Sequence, residues 1–444
     1  MDNITRDKMY VWHPYTQMKE WSEAQNIVIS SGKGHYLIDE NNSKYLDGIS
    51  NMWCNVWGHN RREIINAMKR QLDNLPHSTL FGLVNEPSVM LAEKLIKLAN
   101  GMGKVFYSDN GSTAMEVALK IAIQYWRNLG KIEKKKFICF NNGYHGDTSG
   151  CMSVGYVGSF FYPYKSLLFG TIRVDAPSIG IKKIRNDDPS QCLEQIEKVL
   201  KKHSKNSAAI VMESGAQIAG GVKIYPRNFQ KNVSLLSKKY NVLLILDEVA
   251  TGFGRLGNMI EYHAQDSDPD IVCFAKALTA GYFPLAVTLT KNKIYEKFLG
   301  AYSEKKHLFH GHTFAGQPVG CAAALTNLRL YDRFKLIKKI NSKETLFQQL
   351  LKKFTEIDVV YDVRHKGFLA GIEIKLNGKL AKYSKNGMLG AFIFSESLKR
   401  GVFIRTLGNI ITIIPPLSIS KKNLTEIVNT EYDIVNIINR KFLN

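Results

Sequence analysis

Lys276 and Asp247 are the two residues whose types and surroundings suggest covalent chemistry. The run Val242-Leu243-Leu244-Ile245-Leu246 leads straight into Asp247, and Ile271-Val272-Cys273-Phe274-Ala275 leads straight into Lys276. Short, uninterrupted apolar runs of this length read as strands buried on both faces, as in a parallel sheet. Ligands of open α/β sheets bind beyond the carboxyl ends of the strands, so one carboxylate and one amine are expected at the same edge. An amine able to form an imine, opposite an acid able to keep a pyridine nitrogen protonated, suits pyridoxal phosphate. Each residue alone has a plainer reading: an acid after a strand caps a helix, and a lysine is a solvated charge.

Further residues fit the same edge. Gly111-Ser112-Thr113 lies between a strand and a helix start, where free N–H groups and the helix dipole attract anions, although Ser112 or Thr113 could simply cap the helix. Tyr144 follows a strand at 137–140 and offers a ring to stack on a pyridine, or merely to pack its own loop. Glu213 follows a strand at 208–212, with Gln217 four residues on; Gln217 could donate to a phenolic oxygen and Glu213 orient its neighbours. Gly252-Phe253-Gly254-Arg255-Leu256-Gly257 spells the dinucleotide fingerprint, but five residues separate it from its strand and no suitable helix follows. Within that stretch Arg255 is a candidate carboxylate binder. Arg405, after a strand at 402–404, is another. His310 and His312 lack an evident third ligand for a metal, so no metal is expected.

The elements needed to hold these groups are legible along the chain. The periodicities predict helices at 86–98, 114–127, 192–203 and 229–240, alternating with strands at 104–107, 137–140, 208–212, 242–246 and 271–275. That is the grammar of a doubly wound sheet. After about residue 330 a long helix at 336–357 precedes strands at 359–363 and 368–374, a helix at 392–400, strands at 402–404 and 411–414, and a final helix. The expected organisation is an arm at 1–65, a large domain at 66–330 and an α+β domain at 331–444. The arm's aromatics Tyr10, Trp12, Tyr15, Trp21, Trp53 and Trp57 are expected to pack onto the main body.

Composition narrows the class. With 444 residues, 45% hydrophobic and 22% charged, the chain is ordinary globular material with room for a large core. No run approaches the roughly 18 apolar residues of a membrane span, and no signal core opens the chain, so a cytoplasmic location is expected. Six scattered cysteines without a Cys-x-x-Cys pair suit neither a zinc site nor a disulfide framework. A net charge of +21 raises the question of nucleic acid, but the lysines are dispersed and no recognition signature accompanies them.

Taken in order, these pieces resemble the class III pyridoxal-phosphate aminotransferases over essentially the whole chain. The resemblance rests on Asp109-Asn110-Gly111-Ser112-Thr113-Ala114-Met115-Glu116, Gly143-Tyr144-His145-Gly146-Asp147-Thr148, the segment from Leu246 to Arg255, Ala275-Lys276-Ala277-Leu278-Thr279-Ala280-Gly281 and Gly311-His312-Thr313-Phe314. Trp12-His13-Pro14-Tyr15-Thr16-Gln17-Met18 is similar to the biotin-pathway branch of that class. The resemblance implies an α/β fold of the type I pyridoxal-phosphate transferases: a large domain with a mostly parallel sheet and helices on both faces, and a small α+β domain from the N-terminal arm and the C-terminal segment. It implies pyridoxal 5′-phosphate as cofactor, held covalently by Lys276, with Asp247 at the ring nitrogen, Tyr144 stacked on the ring, Gly111, Ser112 and Thr113 at the phosphate, and Glu213 among the cofactor-binding residues. It further implies a homodimer in which His312 and Thr313 reach the neighbouring subunit's phosphate. Tyr15, Met52, Trp53 and Gly311 would line the substrate pocket, Arg405 would clamp an oxo-acid carboxylate, and Arg255 would support recognition. The amino donor so implied is S-adenosylmethionine or lysine, and the acceptor is 7-keto-8-aminopelargonate. Two departures stand out: Met52-Trp53 where some members carry two tryptophans, and Glu213-Ser214 where the class has Glu-Pro. Other readings are a different ω-aminotransferase (acetylornithine, 4-aminobutyrate or polyamine), a nicotinamide oxidoreductase, or a basic nucleic-acid binder.

Overall fold

The computed structural model describes residues 1–24, 26–182, 188–376, 379–380 and 388–442. Its central sheet has seven strands in the order Lys104–Ser108, Ala286–Thr290, Ile271–Phe274, Leu243–Asp247, Ser207–Glu213, Lys136–Phe140, Ile172–Val174. From Ile271–Phe274 to Ile172–Val174 every pairing is parallel, whereas Ala286–Thr290 runs antiparallel to both neighbours. Every residue of Ser207–Glu213 and Leu243–Asp247 is buried, which is why their sequences show no polar alternation. Alternate residues feed two separate cores: Ile210, Leu244 and Val272 on one face, Val211, Ile245 and Cys273 on the other.

Helices cover both faces. Gly111–Asn128 buries Ala114, Ala118, Ile121 and Ala122, a helical spacing, against the second core. Glu86–Leu98 buries Leu91 and Leu95 in the first core, and it starts where expected because Asn85 accepts the Ser88 N–H and Pro87 occupies the first turn. Phe229–Lys239 supplies Phe229 and Val233 to the same core.

Some boundaries differ from the sequence reading for physical reasons. Glu213 and Asp247 are the last residues of their strands, paired with each other in register, not the first residues beyond them. A carboxylate breaks an apolar run in the sequence, but it does not break a backbone ladder. The long helix is Leu336–Lys352, and a 3₁₀ turn, Lys353–Glu356, finishes it. The glycine-rich stretch 252–257 is a buried turn whose Gly254 and Gly257 take φ of +93° and +96°. The next helix is the four-residue Glu261–Ala264, so no dinucleotide site is built there.

The N-terminal and C-terminal segments meet. Val402–Phe403 pairs parallel with Lys44–Asp47, completing the sheet of Ile29–Lys33 and Tyr36–Asp39. Beside it, Val360–Lys366, Leu369–Leu376, Ile410–Ile413 and Arg405–Leu407 form an antiparallel sheet. The arm departs from expectation in one respect. Trp53 and Trp57 are 8% exposed, but Tyr10, Trp12 and Tyr15 are 75%, 87% and 59% exposed, and the helix Asn3–Tyr10 buries nothing in this chain.

Candidate active site

The carboxyl ends of the central strands border a cavity of about 540 Å³, lined by residues that include Asp109–Ser112, Tyr144–Gly146, Glu213, Asp247 and Lys276. Cavities of this volume accept small cofactors and substrates.

Lys276 turns the chain out of Ile271–Phe274 with φ of +45°. A left-handed conformation costs a non-glycine residue on the order of 1–2 kcal/mol, a strain that persists only where the surroundings enforce it. Its Nζ lies 5.1 Å from the centre of the Trp53 ring. Desolvation lowers its pKa below the usual lysine value, with the charge of Asp247 opposing the shift. A free amine is thereby favoured where a nucleophile or base is wanted.

Asp247 keeps both carboxylate oxygens engaged. Its Oδ2 lies 2.8 Å from His145 Nδ1, and its Oδ1 accepts the Val249 N–H at 2.9 Å. His145 is itself buried, so the pair is shielded from water. Glu213 accepts the N–H of Tyr144 at 3.2 Å and that of Ile218 at 2.9 Å, and burial pushes its pKa up to about 7. This carboxyl therefore orients the loop that carries Tyr144. The Tyr144 hydroxyl donates to Asp147 at 3.0 Å, and its ring stacks on Phe161 at 6.1 Å.

The anion cup is the start of the helix Gly111–Asn128. Asn110 caps it by accepting the Thr113 N–H at 3.1 Å, while the Thr113 hydroxyl donates back to the Asn110 carbonyl at 2.9 Å. The N–H groups of Gly111 and Ser112 have no partner within the helix, as at any helix start. Two glycines make the cup possible: a Cβ on Gly111 would lie 2.6 Å from Val249 Cγ1, and one on Gly146 would lie 1.9 Å from Ser112 Oγ. An amine, a buried carboxylate and an anion cup around one cavity fit a phosphorylated pyridine aldehyde.

Lys276, Asp247, Glu213, Tyr144, Gly111, Ser112 and Trp53 thus come together. Others do not reach the cavity lining. Thr113 spends its hydroxyl on the cap. Gln217 is fully buried and donates to the Asn141 carbonyl at 3.2 Å, while its Oε1 has no hydrogen-bond partner among the described residues. Met52 is 54% exposed beside Trp53, in a turn where Ser50, Asn51, Met52 and Trp53 all have positive φ. Tyr15 is outside the lining, yet its hydroxyl bonds Asp147, the same acid that holds Tyr144. Gly311 and Thr313 are exposed in a loop whose His312 bonds Asp109 at 2.8 Å. Arg405 is exposed on Arg405–Leu407 and has no ion-pair partner among the described residues.

Arg255 stands outside the cavity lining. It is 1% exposed; its guanidinium donates to the carbonyls of Pro415 at 2.7 Å and Phe368 at 3.1 Å and to Ser50 Oγ at 3.0 Å. It braces from behind the turn that presents Trp53 to the cavity. Arg255→Leu is expected to lower stability by about 3 kcal/mol, because buried acceptors lose their donor. Urea unfolding of the apoprotein checks this; unchanged stability with a raised KM would restore a direct substrate contact.

The sequence reading assigned no role to His145, Asp147, Asp109 or Cys54, all of which stand at or beside the cavity. For His145 the only sequence signal was its place next to Tyr144 in the loop after a strand.

Comparison with known proteins agrees with this geometry. Residues 17–435 match the family model of class-III aminotransferases. The chain is 43% identical over 429 residues, 95% of each sequence, to the adenosylmethionine-8-amino-7-oxononanoate aminotransferase of Geobacter sulfurreducens. The crystal structure of the Methanocaldococcus jannaschii enzyme of the same name superposes with a TM-score of 0.91 at 40% identity, covering 98% of both chains. An ω-transaminase from Pseudomonas jessenii in complex with PMP superposes with a TM-score of 0.93 at 28% identity, covering 100% of this chain and 99% of that one. The chain belongs to the class-III aminotransferases, which use pyridoxal 5′-phosphate.

Proposed function

We propose that this aminotransferase transfers the amino group of S-adenosylmethionine to 8-amino-7-oxononanoate, giving 7,8-diaminononanoate for biotin synthesis, as a cytoplasmic homodimer. The observation that carries the chemistry is the cavity shared by Lys276 Nζ and the Asp247–His145 pair. The substrates are supported by near full-length similarity to relatives whose names specify them. Among the described residues no helix is long and apolar enough to cross a membrane.

Pyridoxal phosphate, when bound, supplies a ring that accepts the electrons released at the reacting carbon. Lys276 would hold the cofactor, and its Nζ, once free, would move a proton from the donor carbon to the cofactor carbon that it had occupied, and in the opposite direction for the acceptor. Asp247 keeps a negative charge at the ring nitrogen, and His145, hydrogen-bonded to Oδ2, fixes that carboxylate's direction. Gly111 and Ser112 bind the phosphate by their N–H groups. Tyr144 and Trp53 form walls of the cavity and exclude water from the amine.

The partner subunit is proposed to complete the site. Phe81, Leu83, Val84, Phe309 and Phe314 are all more than half exposed, an apolar area beside the loop that carries His312 and Thr313. Patches of this kind mark interaction surfaces. That loop is proposed to reach the neighbouring subunit's phosphate, with Gly311 at the neighbouring substrate pocket. The proposed domain division sets 1–65 and 331–444 against 66–330, supported by the pairing of Val402–Phe403 with Lys44–Asp47.

Arg405 is proposed to hold the oxo-acid carboxylate. Leu407, two residues on, packs in the same apolar cluster as Trp53 and Tyr144, which sets this strand beside the cavity. Arg405→Ala is expected to raise the KM for 8-amino-7-oxononanoate about 30-fold, the loss of a charge-assisted contact, with the donor KM little changed. Equal changes in both would reject the clamp. The function itself is tested by a donor screen against 8-amino-7-oxononanoate. Turnover with S-adenosylmethionine supports it; turnover with lysine alone changes the donor; no turnover with either rejects the proposal.

A further inference from the structure

Lys120, His310, His312 and Asp109 form one hydrogen-bonded row that ties the loop at 309–313 to the helix Gly111–Asn128. Lys120 Nζ lies 3.0 Å from His310 Nδ1 and donates to the Phe309 carbonyl at 3.0 Å. His310 Nε2 lies 2.8 Å from His312 Nε2, and His312 Nδ1 lies 2.8 Å from Asp109 Oδ2. An ammonium can only donate and a carboxylate can only accept. With Lys120 donating, His310 Nδ1 must be the bare nitrogen, so its Nε2 carries the hydrogen. His312 Nε2 must then accept, and its Nδ1 hydrogen goes to Asp109. Both rings are thus neutral, each in a fixed tautomer. One further proton on either ring sets donor against donor, at the His310–His312 contact or at the Lys120–His310 contact.

The row joins two parts of the site. Lys120 belongs to the helix whose start is the anion cup, and Asp109 lines the cavity just before that cup. His310 and His312 flank Gly311, and Thr313 follows, so contacts at Phe309, His310 and His312 fix the backbone on both sides of the residues proposed to enter the neighbouring subunit's site. The Phe106 ring, from the strand Lys104–Ser108, packs against His310 with ring centres 5.9 Å apart. The charged or titratable groups facing His310 are Lys120 and Glu116 of the helix and His312 of its own loop; those facing His312 are His310 and Asp109. Desolvation, then Lys120 and then His312, lower the His310 pKa below its ordinary value, with Glu116 opposing.

From this geometry we infer that Lys120 is a positioning residue: through His310 and His312 it holds the loop at 309–313 in place for the neighbouring subunit, and only while both rings are neutral. The inference rests on the reading that this loop reaches the neighbouring phosphate. Holding disfavours the charged rings, so it is complete above the pKa of a free histidine, about 6.5, and is lost as pH falls from there towards the lowered pKa of the held ring.

Hydrogen exchange of the holoenzyme tests this, read at peptides covering 308–314 and corrected for the intrinsic pH dependence of amide exchange. The rate at which the diluted holoenzyme loses its cofactor absorbance, and the Tm, are measured alongside. Between about pH 7.5 and about pH 5.5, loop exchange of the unmutated protein is expected to rise about tenfold, one factor of ten for each unit by which holding lowers a ring's pKa. Cofactor loss should quicken with it. Lys120→Met leaves His310 Nδ1 free to take a proton without conflict, so loop exchange should be fast at both ends of the range and the step should vanish. Lys120 is exposed, so the variant should fold. His310→Gln combined with His312→Gln removes both titrating rings and should also abolish the step, whereas Lys120→Arg still donates and should keep it. A step of unchanged size in Lys120→Met and in the double variant overturns the inference, as does pH-independent exchange in the unmutated protein. A lowered Tm in Lys120→Met with the step intact overturns it too, since the residue is then merely structural. A step that Lys120→Met abolishes, with cofactor loss unaffected throughout, supports the hold and sinks instead the reading that this loop reaches the neighbouring phosphate.

Discussion

Lys276→Ala is expected to reduce turnover by about a thousandfold or more and to remove the visible absorbance that a covalently held cofactor gives the protein. The size of the effect follows from the number of tasks that converge on one atom. Nζ is the attachment point, and in the proposed chemistry it is also the base that moves the proton. The surroundings prepare it for both: desolvation lowers its pKa, and the Trp53 ring lies 5.1 Å away. Among the described residues no second amine lines the cavity to take over. The substitution should leave the fold intact, because alanine in place of lysine at φ of +45° meets a similar backbone cost. A Lys276→Ala variant that stays yellow and turns over would refute the assignment.

Asp247→Asn is expected to cut the rate by about a thousandfold, comparable to other losses of a charge built to match a charged transition state. The amide has nearly the shape of the carboxylate, so Oδ1 can still accept the Val249 N–H. What disappears is the negative charge that keeps a ring nitrogen protonated. The buried His145 then also loses the anion that its Nδ1 faces at 2.8 Å. Folding should therefore survive while cofactor affinity and rate fall together. Measurement of kcat and of the cofactor dissociation constant on the purified variant checks this, and near-normal values of both would count against the role.

The fold was legible where burial is continuous. Runs such as Leu243–Asp247 and Ile271–Phe274 declare themselves because strands covered on both faces tolerate little but apolar residues. The ends of those runs marked the cavity edge, and with it Lys276, Asp247 and Glu213. The anion cup was legible because a strand, a glycine and a helix start must occur in that order. The bracing by Arg255 was not legible: a guanidinium that donates to Pro415, Phe368 and Ser50 has the same sequence signature as one that binds a substrate. Those partners lie in distant segments that only the folded chain assembles. His145 escaped notice for the complementary reason, since its partner Asp247 is 102 residues away. The exposed aromatics of the arm, Tyr10 and Trp12, show a further limit. Apolar residues announce that they will be covered, without saying whether the cover comes from the same chain.

The most direct measurement is borohydride reduction of the pyridoxal-phosphate-loaded protein followed by mass spectrometry of its peptides. Stable labelling of Lys276 alone, suppressed when S-adenosylmethionine is added before the reductant, is the predicted result. Labelling spread over other lysines, or none at Lys276, would contradict the account.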